Sequence, residues 1–151
     1  MKKLFCTLFM MAMVTACNSS GTPKEIKSLV MMKTFFGKAG KLPAVANEKE
    51  LKMYEVLSDY VEIKLTKEEE ISANNFTIEG SVTAHEFKKV GGIVQGVMMM
   101  GIDKVDRVIA SVDEKISKMK GYKPTSKTKN FIATYSKEDG KYKLLTMKFK
   151  K

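Results

Sequence analysis

Seven apolar side chains set the strongest constraint on how this chain folds. Met98, Ile102, Val105, Ile109, Val112, Ile116 and Met119 follow one another at spacings of 4, 3, 4, 3, 4 and 3 residues. Such a repeat lines one stripe of an α-helix, because side chains three and four apart stand one above the other. The opposite positions hold Asp103, Lys104, Asp106, Arg107, Glu114, Lys115 and Lys118, which suit solvent. The spacing predicts one amphipathic helix over residues 95–119, about 37 Å long at 1.5 Å per residue. A domain of ~130 residues is itself only about 35 Å across. Such a helix must cross the whole domain on one face of a sheet, or overhang it. Three heptads also reach the lower limit of a coiled-coil seam, so a dimer through 98–119 is the second reading.

The remaining elements follow from shorter patterns. Thr22-Pro23-Lys24-Glu25 reads as a helix start, with Thr22 as the cap and Pro23 in the first turn. Ile26, Leu29, Val30 and Phe36 then fit one helical face, although Ser28 to Phe36 reads equally as a strand. Asn47 with Glu50 three residues on resembles a capping box, and Leu51, Tyr54 and Leu57 predict a second helix over 48–58. Val61, Ile63 and Leu65 alternate with polar residues as in a half-buried strand, and residues 66–75 read as a polar connection. Phe76, Ile78, Val82 and Ala84 make a second strand, with Gly80 at a bulge or a close contact. Gly121 stops the long helix, and residues 121–130 read as a linker. Phe131, Ala133 and Tyr135, the Asp139-Gly140 turn and residues 141–151 make a C-terminal hairpin. The doubled Leu144-Leu145 breaks the alternation of its last strand and marks a bulge or a stretch buried on both faces. The expected class is α+β: an antiparallel sheet of about four strands, a long amphipathic helix packed on one face, and one or two N-terminal helices.

The N-terminus carries an address. Met1-Lys2-Lys3 precedes an apolar run from Leu4 to Val14, followed by Val14-Thr15-Ala16-Cys17 and the small polar residues Asn18, Ser19 and Ser20. The run has the length of a signal-peptide core and is too short to span a bilayer. Val14 to Cys17 resembles the lipobox of bacterial lipoproteins. The resemblance implies a diacylglyceryl group on the Cys17 thiol, cleavage before Cys17, and acylation of the new amine, with chains of the palmitate type. Two or more chains hold a protein firmly at a membrane. Residues 1–16 are then a signal peptide, 17–23 a lipidated flexible tether and 24–151 a single globular domain, for which we recognise no family. Asn18 in place of an aspartate favours the outer membrane, facing the periplasm, over the inner one.

This reading removes Cys6 with the signal and commits Cys17 to lipid, so the domain keeps no thiol for catalysis, metal or disulfide chemistry. Charge is the next most informative feature. Residues 17–117 carry 14 Lys/Arg against 15 Asp/Glu, a net of −1, whereas residues 118–151 carry 11 lysines against Glu138 and Asp139, a net of +9. With a secretion signal, this basic end points away from nucleic acid. Lys141, Lys143, Lys148 and Lys150 form the candidate surface for an anionic partner: an acidic protein, a lipid headgroup or an envelope polymer.

Chemistry-bearing residues are sparse. His85 is the sole histidine, next to Glu86, whose side chain points to the other face of a strand. Ser117 with Lys120 and Ser126 with Lys129 have the spacing of penicillin-recognising enzymes, at the frequency that composition alone produces, and the partner motifs of that family are absent. Gly91, Gly92 and Gly96 precede the long helix without a phosphate-loop signature, and fit a helix entering close beneath the sheet. Met98, Met99 and Met100 point about 100° apart on a helix and cannot converge on one copper ion, so they read as core, with contact of Met99 and Met100 to lipid or a ligand as the alternative. We therefore expect no catalytic residue, metal or cofactor. The expected function is a lipid-anchored, non-enzymatic binding module using the basic hairpin. The alternative is a carrier or sensor of a small hydrophobic ligand held between the long helix and the sheet.

Overall fold

The structure, a computed structural model, describes residues 21–36 and 44–151. Helix α1 (Lys24–Phe36) and helix α2 (Glu48–Leu57) come first, then strands β1 (Val61–Ser72) and β2 (Asn75–Ala84). Helix α3 (Phe87–Met100), a single 3₁₀ turn (Ile102–Lys104) and helix α4 (Val105–Ser117) follow, then strands β3 (Lys127–Glu138) and β4 (Lys141–Phe149). The strands form one antiparallel sheet in the order β1-β2-β3-β4. The fold is thus α+β, with four antiparallel strands and two N-terminal helices, as the patterns predict.

The long helix does not exist as one piece. Gly101 takes φ +93° and ψ 157°, a backbone conformation that side chains disfavour, and the chain turns back. Helices α3 and α4 then pack against each other as an antiparallel pair. Gly96 faces Val108 and Gly92 faces Val112; a Cβ on Gly96 would stand 2.5 Å from Val108 Cγ1, and one on Gly92 3.2 Å from Val112 Cγ2. The glycines expected to bring the helix under the sheet instead bring two helices together. Because the heptad stripe is split, a continuous 98–119 seam for a dimer is lost. Met98, Met99 and Met100, expected in the core, are 51%, 81% and 49% exposed.

The N-terminal run settles as helix rather than strand, burying Ile26, Leu29, Val30, Met31 and Met32. Its cap differs from expectation. The Pro23 carbonyl accepts from the Ile26 and Lys27 amides, both at 3.1 Å, while Thr22 is buried and its hydroxyl donates to Glu68 on β1. Thr22, placed in the tether on sequence grounds, therefore packs with the domain. Helix α2 starts as predicted: the Asn47 side chain accepts from the Lys49 and Glu50 amides, and Glu50 accepts from the Asn47 amide at 3.1 Å.

The polar stretch after Leu65 is strand, not connection. It continues β1 to Ser72 past a bulge between Leu65 and Lys67. Gly80 lies opposite that bulge, where any Cβ would collide with the Lys64 carbonyl oxygen. At the other edge, Tyr135 pairs with Leu144 and Thr134 with Thr146, so Leu145 is the extra residue of the expected bulge. Asp139 and Gly140, at φ 50° and 76°, make the tight turn between β3 and β4. Residues 127–130, expected as linker, are the first residues of β3.

One face of the sheet carries the core. Val61, Ile78, Val82, Ala84, Phe131, Ala133, Tyr135 and Leu144 meet α1 and the Val90, Ile93 and Val94 side of α3. Phe76 stacks on its cross-strand partner Tyr135 with ring centroids 5.0 Å apart, closing the far end of that face. Helix α2 packs on α1 and α4 on α3, so both are second layers above the helices that touch the sheet.

Candidate functional site

The register of β3 against β2 places two lysines where apolar residues belong. Phe131, Ala133 and Tyr135 point inward to the core. By the two-residue period of a strand, Lys129 and Lys127 share that face, and they pair across to Val82 and Ala84. Beyond Phe131 the core opens into a cleft of about 590 Å³. Val82 and Ala84 floor it, Phe87, Gly91, Val94 and Met98 of α3 form one wall, and Thr34 and Phe35 of α1 another. Lys127, Thr128 and Lys129 form its rim.

Gly91 lines the cleft without a side chain. A Cβ there would meet nothing within 4 Å, in contrast to Gly92 and Gly96 on the α4 side of the same helix. The lysines are held by aromatic rings and not by carboxylates. Lys127 Nζ sits 4.1 Å from the Phe87 ring centroid, and Lys129 Nζ 5.1 Å from that of Phe149. Neither enters an ion pair among the described residues. Among the described residues, no Asp or Glu lines the cleft. The site is therefore an apolar pocket with a cationic rim, within the size range of small-molecule sites.

The residues singled out in the sequence fall elsewhere. Cys17 lies outside the described residues. Lys141, Lys143, Lys148 and Lys150 are all exposed. Lys141, Lys143 and Lys148 pair across to Glu138, Ser136 and Ile132, and the Lys150 amide bonds the Asn130 carbonyl at 2.8 Å, so all four stand on the outer face of the sheet. The Leu145 bulge makes this possible, since without it the parity of 141 and 143 would oppose that of 148 and 150. Lys150 Nζ reaches Glu79 Oε2 at 3.5 Å.

His85 is exposed, with Nε2 3.3 Å from Glu62 Oε2 across the sheet, rather than beside Glu86. Ser126 donates to the His85 carbonyl at 3.1 Å, and Lys129 turns into the cleft, so that serine-lysine pair is not brought together. Met99, Met100 and Met119 line a second apolar groove between α3 and α4. Met119 shares its end of that groove with Lys88, at the opposite end of α3 from Met99. Eleven residues separate 88 from 99, about 16 Å of helix, so the thioethers do not converge. Among the described residues, no three His, Cys, Asp or Glu side chains cluster as for a metal, and no helix is long and apolar enough to cross a membrane.

Sequence reasoning missed Lys127 and Lys129 as site residues by assigning them to a linker. The signal was present: they are four and two residues before the inward-facing Phe131. No family model, curated protein or solved structure matches the chain.

Proposed function

We propose that this chain is a lipid-anchored protein of the bacterial cell envelope, held at the outer membrane through Cys17, whose α+β domain carries or senses a small hydrophobic ligand. The observation that carries the ligand reading is the cleft between α1, α3 and the sheet, mostly apolar on its floor and walls, with Thr34 and Gln95 as the polar exceptions there and no side chain at Gly91. The lipobox supports the anchor. Binding and release, rather than bond chemistry, are the proposed work of the domain.

The test is compositional. Full-length protein isolated from native envelope is extracted with organic solvent, and the extract is weighed against protein by mass spectrometry. A ligand near one per chain, lost when Gly91→Leu fills the cleft, is the expected result. Equal recovery from both proteins removes the cleft as its binding place. Cys17→Ala, expressed in a bacterium, is expected to leave the membrane fraction; unchanged membrane recovery counts against the anchor.

A second reading has its own observation. The Leu145 bulge gathers Lys141, Lys143, Lys148 and Lys150 on one open face, suited to an acidic protein, a lipid headgroup or an anionic envelope polymer. Reversing Lys141, Lys143 and Lys148 to Glu leaves the cleft intact, so loss of an envelope partner in that variant would belong to this face alone.

A further inference from the structure

We infer that the ligand of the cleft is a single-chain amphiphile with an anionic head, its chain along Val82, Val94 and Phe35 and its head between Lys127 and Lys129. This inference rests on the cleft reading above and adds the chemistry of the head. Three features carry it. Both lysines occupy inward positions of β3 and line the apolar cleft at its solvent-exposed edge, where a bound head group can reach them. Their ammonium groups lie over the faces of Phe87 and Phe149, at 4.1 and 5.1 Å, which orient a cation without neutralising it. Among the described residues, no carboxylate lines the cleft to compete. A carboxylate or phosphate between two such cations gains charge-assisted hydrogen bonds beside low-dielectric walls, where they are stronger than in water. A neutral head leaves both charges unmatched.

The cleft also fixes the polarity of binding. Val82 and Val94 in its lining are buried and apolar, while Lys127 and Lys129 are exposed to solvent and bring the charge. The chain enters first and the head stays at the mouth, which suits uptake from, or delivery to, a membrane surface.

The experiment uses the full-length chain in nanodiscs of zwitterionic lipid, with a dansylated undecanoate as fluorescent probe. Decanoate, decyl phosphate and decanol compete for the site. The expected result is displacement by the two anions at about tenfold lower concentration than decanol, the equivalent of one charge-assisted bond. Lys127→Gln with Lys129→Gln is expected to abolish that preference and leave decanol unchanged. Gly91→Leu is expected to weaken all three competitors together. Whichever anion competes better assigns the head as carboxylate or phosphate. Equal competition by anions and decanol, with Gly91→Leu still weakening both, overturns the anionic head and leaves the cleft reading standing. Probe binding indifferent to Gly91→Leu overturns both. The two sets of variants lie on different elements, Gly91 on α3 and the lysines on β3, so a folding defect in one does not silence the other.

Discussion

Gly101→Ala is expected to destabilise the protein, and the sign of its effect decides how residues 98–119 are built. In the structure Gly101 sits at φ +93° and ψ 157°, between α3 and the 3₁₀ turn. That region of backbone space is open almost only to glycine, and an alanine there costs about 1–3 kcal/mol. The cost is backbone strain alone, because a Cβ at Gly101 would meet nothing within 4 Å. If 98–119 were instead one continuous helix, the same substitution would replace the poorest ordinary helix former with the best and stabilise by about 1 kcal/mol. For a domain of this size 1 kcal/mol moves Tm by about 4 °C. The two architectures therefore differ in direction: a fall of about 4–12 °C against a rise of about 4 °C. Thermal melts followed by far-UV circular dichroism read this directly. A Tm equal to or above that of the parent protein would refute the turn at Gly101 and restore the long helix.

Two further predictions concern the same helix pair. Gly91→Ala should stabilise by about 0.5–1 kcal/mol, since its side chain has open space, while Gly96→Ala should destabilise by about 1–3 kcal/mol against the stiff, buried Val108. Urea denaturation measures both, and recovery of Gly96→Ala by Val108→Ala is the check that the contact is the cause. Lys89, 15% exposed, joins α3 to Asp113 of α4 at 2.7 Å and lies 4.6 Å from the Tyr60 ring centroid. Its hydrogen bond to Asp113 raises its pKa above the ordinary lysine value, against the lowering effect of burial. A raised lysine pKa means that the folded state holds the proton more tightly, so this stability is complete below about pH 10.4 and is lost as pH climbs through the higher folded value. Lys89→Met should therefore cost about 1 kcal/mol at neutral pH, and the gap to the parent protein should narrow in urea titrations as pH rises through the raised folded value. A gap constant with pH would show that the methylene stem, not the charge, supplies the effect.

Local signals were legible because their cause is local. Asn47 and Glu50 cap α2 through bonds that span three residues, and Asp139-Gly140 turns the last hairpin through its own φ angles. The Leu145 bulge announced itself as a break in alternation. The failures have a shared cause. A spacing of 4 and 3 residues persists in the sequence across Gly101 although the chain reverses there, because each of the two helices carries its own apolar stripe. Periodicity reports which residues are apolar in step, not whether the axis that carries them is straight. Likewise, residues 67–72 form strand although mostly polar, because pairing with β2 and not burial holds them. The cleft has no sequence signature at all: its depth comes from how α1 and α3 sit over the end of β2, which no single segment encodes.

The glycines of α3 show most clearly why one explanation per motif fails. Residues 91 and 92 are adjacent, yet on a helix they face directions about 100° apart, whereas 92 and 96 share a face. Gly92 and Gly96 remove side chains where Val112 and Val108 press in, and α4 comes close. Gly91 removes one where nothing presses in, and the cleft stays open. Packing explains the first pair, since larger residues there would push the helices apart. It does not explain the third, because almost any helix former would be tolerated at 91 and would raise stability. A glycine that forgoes that stability and leaves apolar space beside two unpaired ammonium groups is the residue in this fold that stability alone would not select. Proteins accept such losses most often where a site must stay vacant for something else. That asymmetry between Gly91 and its neighbours makes the cleft the first place to look for the ligand.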